Sequence, residues 1–232
     1  MPSIKGLQKT TLVDFPPYLA CTVFISGCNF RCGFCHNKDL VEDSEELKSI
    51  SEKEIFEFLE KRKNVLSGVC ITGGEPTLYK SLATFIKKIK DIGYNVKLDT
   101  NGYNPGILKD IIKKNILDYI AMDIKAPLEK YHKAANVKVD TEKIRRSIDL
   151  IKDSDIGHEF RITAVPGLHE EKDFESIGNL LKNTGKIAIQ QFTPKNCMDE
   201  KFNNIKPFKS SDLERFKKIF QKYIKKVEIR NI

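Results

Sequence analysis

Cys28-Asn29-Phe30-Arg31-Cys32-Gly33-Phe34-Cys35 places three cysteines within eight residues, and no fourth cysteine follows at ligand spacing. An electron-carrying iron–sulfur cubane uses four thiolates, one for each iron. Three thiolates leave one iron with open coordination positions, and an open iron can bind a substrate. A structural zinc site is the competing reading of so short a cluster, and zinc needs a fourth ligand. His36 directly follows Cys35, and sequence neighbours rarely both reach one tetrahedral ion. Cys21, Cys70 and Cys197 sit in or beside apolar runs and read as buried thiols.

Outward from this loop, short β-branched runs alternate with lysine-bearing amphipathic segments, the pattern of repeated βα units and a parallel sheet. Strands are expected near Cys21–Ser26, Val69–Thr72, Asn95–Asp99, Tyr119–Ile124, Glu159–Val165 and Lys186–Phe192, with a last one at Val227–Arg230. Ser51 and Glu54 form a capping box ahead of Ile55, Phe56, Phe58 and Leu59, and Ser211 with Glu214 repeats it. A second helix over Leu82–Ile92 is stopped by Gly93, and a third starts near Pro105. Six parallel strands predict an α/β fold, a partial (β/α)6 barrel. The turn-rich stretch from Ile4 to Tyr18, with Asp14-Phe15-Pro16-Pro17, is expected to make a hairpin-like extension over residues 1–18. Residues 206–232 hold the C-terminal helix and strand.

At 232 residues the chain is expected to be a single domain spanning 1–232. No apolar stretch approaches the length of a membrane span, and Met1-Pro2-Ser3-Ile4-Lys5-Gly6 has no apolar h-region. Six cysteines without paired spacing do not resemble a secreted disulfide framework. The expected location is therefore cytoplasmic, in an anaerobic setting. The net charge of +8 comes from 40 lysines and arginines against 32 acids. These lysines recur at helical spacing without interleaved aromatics, so no nucleic-acid platform is expected. Their charge suits docking of an acidic electron donor or protein substrate.

In parallel α/β barrels ligands sit beyond the carboxyl ends of the strands. Here those ends carry the cysteine loop, Thr72-Gly73-Gly74-Glu75-Pro76, Asp99-Thr100-Asn101-Gly102, Asp123-Ile124-Lys125, and Arg161 with Val165-Pro166-Gly167 and His169. Two glycines after a strand make a weak signal alone; joined to the cysteine loop they become a strong one. Glycines let the backbone approach a ligand closely.

The spacing Cys-x3-Cys-x2-Cys, with Phe34 before the last cysteine and His36-Asn37 after it, resembles the cluster loop of radical S-adenosylmethionine (SAM) enzymes. Leu-Asp99-Thr100-Asn101-Gly102 and Asp123-x-Lys125 are similar to motifs of the glycyl-radical-enzyme activases within that family. Leu12-Val13-Asp14-Phe15-Pro16 and the run Cys28 to Asn37 bring it nearest to the activating proteins of anaerobic ribonucleotide reductase. The resemblance implies that Cys28, Cys32 and Cys35 hold one [4Fe-4S] cluster, since only Cys70 lies between the cluster loop and the glycine turn. It implies SAM contacts from Phe34, His36, Gly73, Gly74, Glu75, Asp99, Asn101, Asp123, Lys125 and Arg161. Phe34 would lie against the adenine or pack beneath the loop. Lys125 would pair with the methionine carboxylate, and a monovalent cation would sit between Asp99 and Asp123. One departure stands out: where related activases place a ribose-contacting histidine, this chain reads Gln190-Gln191-Phe192-Thr193-Pro194.

The implied reaction is one-electron cleavage of the sulfonium C–S bond, yielding methionine and a 5′-deoxyadenosyl radical that takes a hydrogen atom from a glycine Cα of a partner enzyme. Flavodoxin or ferredoxin would supply the electron, and anaerobic ribonucleotide reductase would be the partner. Pyruvate formate-lyase or another glycyl radical enzyme is an alternative partner. Two other readings stand beside it: a small-molecule radical SAM enzyme like 7-carboxy-7-deazaguanine synthase, and a non-catalytic zinc or iron–sulfur module.

Overall fold

The computed structural model describes residues 2–230. One eight-stranded sheet runs through them in sequence order: β1 Ile4–Thr11, β2 Ala20–Ile25, β3 Gly68–Gly73, β4 Asn95–Thr100, β5 Tyr119–Asp123, β6 Gly157–Ala164, β7 Lys186–Gln191 and β8 Lys226–Arg230. β1 pairs antiparallel with β2, and every later neighbouring pair is parallel. The connecting helices are α1 Lys38–Val41, α2 Glu52–Arg62, α3 Leu82–Ile92, α4 Pro105–Lys113, α5 Tyr131–Ala135, α6 Thr141–Lys152, α7 Glu171–Leu180 and α8 Ser210–Gln221. The six expected parallel strands are β2 to β7, with β8 added as expected and β1 beside them.

The two faces of the sheet carry different chemistry because side chains alternate along a strand. Val69, Ile71, Val96, Leu98, Ile120, Met122, Phe160, Ile162, Ile187 and Ile189 are buried in the main core. Helix side chains complete that core, among them Ile55, Leu59, Phe85, Ile89, Leu108, Ile111, Ile148, Phe174, Phe216 and Phe220. The alternate positions hold Lys97, Asp99, Asp123, Glu159, Arg161 and Lys186, which pair along β4 (Lys97 with Asp99) and across neighbouring strands. The barrel interior is therefore an ionic lattice, and its apolar core lies outside, between sheet and helices.

Local signals set most helix ends. Ser51 Oγ accepts the Glu54 N–H while the Glu54 carboxylate accepts the Ser51 N–H, a capping box worth about 1 kcal/mol. Gly93 ends α3 in a left-handed conformation, and Pro105 occupies the first turn of α4. The box expected at Ser211 and Glu214 is not the one formed. The cap falls two residues earlier, at Lys209, and Asp212 instead reaches back to accept the Lys209 N–H at 2.9 Å. Asp212 stands three residues beyond Lys209, the spacing at which a carboxylate meets the cap amide. The stretch expected as a hairpin-like extension supplies β1, which pairs antiparallel with β2. Met1 and residues 231–232, the ends of the expected single domain, lie outside the described residues.

Candidate active site at the strand ends

A cavity of about 290 Å³ opens at the carboxyl ends of β2 to β7. The three cysteines and all ten expected SAM-contacting residues line it: Cys28, Cys32, Cys35, Phe34, His36, Gly73, Gly74, Glu75, Asp99, Asn101, Asp123, Lys125 and Arg161. The loop after β2 and the ends of β3, β4, β5 and β6 bring them there. Thr72, Thr163, Asn37 and Gln190 join them without having been assigned a contact from sequence. They are small or neutral polar residues, so nothing in their chemistry alone distinguished them.

The cysteine loop follows β2 and is fixed by its own turns and by neighbours. The Cys35 N–H donates to the Cys32 carbonyl at 3.0 Å, and the Arg31 N–H to the Ala135 carbonyl at 2.8 Å. Backbone amides also point at sulfur: Phe30 N lies 3.4 Å from Cys28 Sγ, and Asn37 N 3.4 Å from Cys35 Sγ. Such N–H···S bonds favour thiolates as ligands. In the metal-free chain, burial pushes the Cys28 thiol up to about 11 and the Cys32 thiol up to about 12, with the Lys125 charge pulling both back down. An incoming metal must therefore displace protons from these thiols.

Cys21, Cys70 and Cys197 are buried, as expected, and none lines the cavity. His36 Nε2 lies 2.8 Å from the Thr193 carbonyl, so that nitrogen carries the proton and donates; its ring stacks on Phe192 at 6.5 Å. Among the described residues, no three His, Cys, Asp or Glu side chains converge on a position for a single metal ion. Three thiols lining one cavity are the donor set that a [4Fe-4S] cluster with one open iron would take.

Opposite the cysteines, the glycine turn ends β3. Gly73 has φ 128°, and a β-carbon there would overlap the Ile25 backbone; one on Gly74 would overlap the Gly27 carbonyl. Only glycines allow this approach. The turn is pinned by Gly74 N–H to Ile25 O at 2.8 Å, Glu75 N–H to Gly27 O at 2.7 Å, and Asn37 Nδ2 to Gly73 O at 3.1 Å. The Glu75 side chain is buried and accepts from the Thr77 N–H and hydroxyl, the Thr100 hydroxyl and the Asn101 N–H. Burial raises its pKa, with these four donors working against the rise. Both carboxylate oxygens are thus committed to joining the β3 and β4 ends.

Charge collects at the ends of β4, β5 and β6. Arg161 Nη1 lies 3.0 Å from Asp99 Oδ2, and its Nε 2.7 Å from Asp123 Oδ1; Lys125 Nζ stands 3.2 Å from Asp123 Oδ2. Burial alone would raise the Asp123 pKa, but the charges and hydrogen bonds of Arg161 and Lys125 outweigh it and hold the carboxyl below the usual range. For Lys125 burial works downward and Asp123 upward, and the net shift is upward. The Lys125 backbone is set by His169, which sequence reading left without a role. His169 Nε2 donates to the Lys125 carbonyl at 2.8 Å while Nδ1 accepts the Val165 N–H at 3.0 Å, an arrangement that requires a neutral ring. Burial lowers the His169 pKa accordingly.

A segment after β7 braces the cysteine loop. The Met198 N–H donates to the Cys35 carbonyl at 2.8 Å, and the Asp199 N–H to the Gly33 carbonyl at 2.9 Å. Of the residues at the departed histidine position, Gln190 reaches the cavity. Gln191 donates to the Phe208 carbonyl at 2.7 Å, and Thr193 offers its carbonyl to His36.

Residues 22–181 match the model of the Radical SAM superfamily. Over 99% of the chain and 96% of the relative, the sequence is 34% identical to a Methanocaldococcus jannaschii protein named "Putative glycyl-radical enzyme activating enzyme". It is 27% identical to the pyruvate formate-lyase-activating enzyme of Clostridium pasteurianum, over 98% of each. The fold is similar to that of QueE from Escherichia coli, with a TM-score of 0.61 and 14% identity, over 100% of this chain and 94% of that one. No helix among the described residues is long and apolar enough to cross a membrane. With a [4Fe-4S] cluster held by three cysteines and SAM as its cofactors, the chain belongs to the Radical SAM superfamily and, within it, to the glycyl-radical enzyme activating enzymes.

Proposed function

We propose that this chain installs a glycyl radical on anaerobic ribonucleotide reductase, with Cys28, Cys32 and Cys35 as the cluster ligands. The observation that carries the site assignment is the meeting of these three thiols with the glycine turn, Asp123, Lys125 and Arg161 around one cavity. When bound, the cluster and SAM supply reductive cleavage of the sulfonium and removal of a hydrogen atom from a glycine Cα of the partner.

Each side chain then has a holding task. Lys125 and Arg161 meet the SAM carboxylate, and the Gly73-Gly74 backbone receives the methionine end at close approach. Asn101 Nδ2, 2.9 Å from Asn29 Oδ1 and 3.8 Å from Cys28 Sγ, positions the first ligand. Phe34, only 6% exposed, closes the loop against the adenine, and Gln190 takes the ribose contact that a histidine makes in related activases. His36 closes the mouth while held by Thr193. These contacts exclude water and fix the sulfonium, and none requires a side-chain acid or base.

The partner assignment rests on the Leu12-Val13-Asp14-Phe15-Pro16 segment and on the run Cys28 to Asn37. Pyruvate formate-lyase is the second reading, favoured by the full-length similarity to its activating enzyme. The test uses anaerobically reconstituted protein reduced with dithionite and given SAM, with Cys32→Ala as control. A SAM-dependent change in the reduced-cluster paramagnetic resonance signal and release of 5′-deoxyadenosine are expected from the wild type alone. Adding each purified partner then decides between them by the appearance of a glycyl radical signal. A zinc-loaded chain indifferent to SAM overturns the proposal.

A further inference from the structure

The cation expected between Asp99 and Asp123 does not fit the residues found there. Arg161 already lies in that gap, with Nη1 on Asp99 Oδ2 at 3.0 Å and Nε on Asp123 Oδ1 at 2.7 Å. The two outer oxygens are covered as well. Lys125 Nζ stands 3.2 Å from Asp123 Oδ2, and Lys97 Nζ 2.8 Å from Asp99 Oδ1. Lys97 Nζ also donates to the Asp14 carbonyl at 2.6 Å, which sets the angle at which it meets Asp99. Asp99 Oδ1 therefore lacks a well-directed hydrogen bond but lies against this ammonium.

A bound alkali ion needs oxygen ligands with free lone pairs, and needs net negative charge to offset the water it sheds. Here three protein cations face two carboxylates, leaving one positive charge in excess. The side chains concerned are between 5% and 28% exposed, so solvent screens this excess poorly. An added ion would meet the guanidinium before it met a vacant oxygen. Arginine suits the bridge because its planar fork presents donors in two fixed directions and stays charged at every relevant pH.

We infer that Arg161 takes the place of a monovalent cation in this chain, clamping the ends of β4, β5 and β6 so that SAM binding needs neither sodium nor potassium. This rests on the proposed SAM site, and its test separates the two. SAM binding to the reconstituted chain is measured by calorimetry in choline chloride, then with potassium or sodium chloride at equal ionic strength. The affinities are expected to agree within about twofold. A gain of about tenfold or more with potassium or sodium overturns the inference and leaves the SAM site standing.

Absence of SAM binding in every buffer counts against the site assignment, and a second readout then judges the inference alone. Thallium(I), a potassium stand-in, is followed by its own magnetic resonance in the presence of wild type and of Arg161→Gln. The wild type is expected to bind none, and the folded variant to bind thallium that potassium displaces. Thallium bound by the wild type, or none bound by a variant shown to be folded by its melting curve, overturns the inference.

Discussion

Gly33 lies beneath the ring of Phe202, so close that a β-carbon at position 33 would overlap the ring edge. The contact joins two segments with no sequence relationship, the cysteine loop and the strap after β7. Phe202 also stands 6.2 Å from Phe34 and 6.4 Å from Phe192, edge-on to the latter. The cluster loop thus rests on an aromatic floor, and the two strap-to-loop backbone bonds hold it there.

Gly33→Ala should therefore disturb the loop without touching a ligand. Overpacking of this kind costs about 1–3 kcal/mol. We expect a lower melting temperature and less iron per chain after reconstitution. Phe202→Leu in the same chain, which removes the ring edge, should restore both. Unchanged iron content in the single variant would mean that the strap is not a brace.

Glu75→Gln should loosen the cavity from its other side. The carboxylate accepts from four donors, and an amide presents an NH2 to at least one of them. A buried donor left facing a donor costs about 1–3 kcal/mol. The unfolding free energy measured in urea should fall by that amount, and SAM affinity should weaken with cluster content retained. A variant with normal stability would show that these bonds are not formed in solution.

The parts legible in the sequence are those encoded locally. Residues such as Val69, Ile71, Val96 and Leu98 gave the parallel strands through their spacing, and three closely spaced thiols gave the cluster loop. β1 was missed as a strand because its residues at both ends, Ile4 and Thr11, are buried while those between are not, which erases the period of two. The arginine bridge was equally hidden. Arg161 pairs with aspartates 62 and 38 residues away, and nothing in its own surroundings selects them. The strap acts through backbone amides of Met198 and Asp199, which carry no side-chain signature at all.

Cysteine variants should divide cleanly by position. Cys32→Ala is expected to abolish stable cluster binding. Cys70, fully buried on the inner face of the sheet near Lys97, Asp99 and Arg161 but outside the cavity, should tolerate alanine with a loss of about 1 kcal/mol and normal iron content. Iron analysis and visible absorption after anaerobic reconstitution check this directly. Equal iron loss from both variants would sink the ligand assignment.

The base of the barrel gives a prediction about pH. Glu159, 3% exposed, takes both Arg230 terminal nitrogens, at 3.0 and 2.6 Å, and Lys186 Nζ at 3.1 Å. Burial alone would raise its pKa, but the Arg230 hydrogen bonds and charge, with Lys186, outweigh that and lower it. A lowered folded pKa means that the ionised form stabilises the fold. That stabilisation is fully present above the ordinary glutamate value of about 4.3 and is lost as pH falls through the folded value. Glu159→Gln should cost toward the lower end of the ~3–5 kcal/mol typical of a broken buried pair, because Arg230 stays 30% exposed and keeps Glu228 as a partner. Glu228, itself held down at about 2, stays ionised in the folded state of both proteins down to well below pH 4. The difference in urea midpoint between wild type and variant should therefore be largest near neutrality and shrink as the pH drops below about 4. A difference that stays constant across that range would show that Glu159 is not ionised against Arg230 in the folded chain.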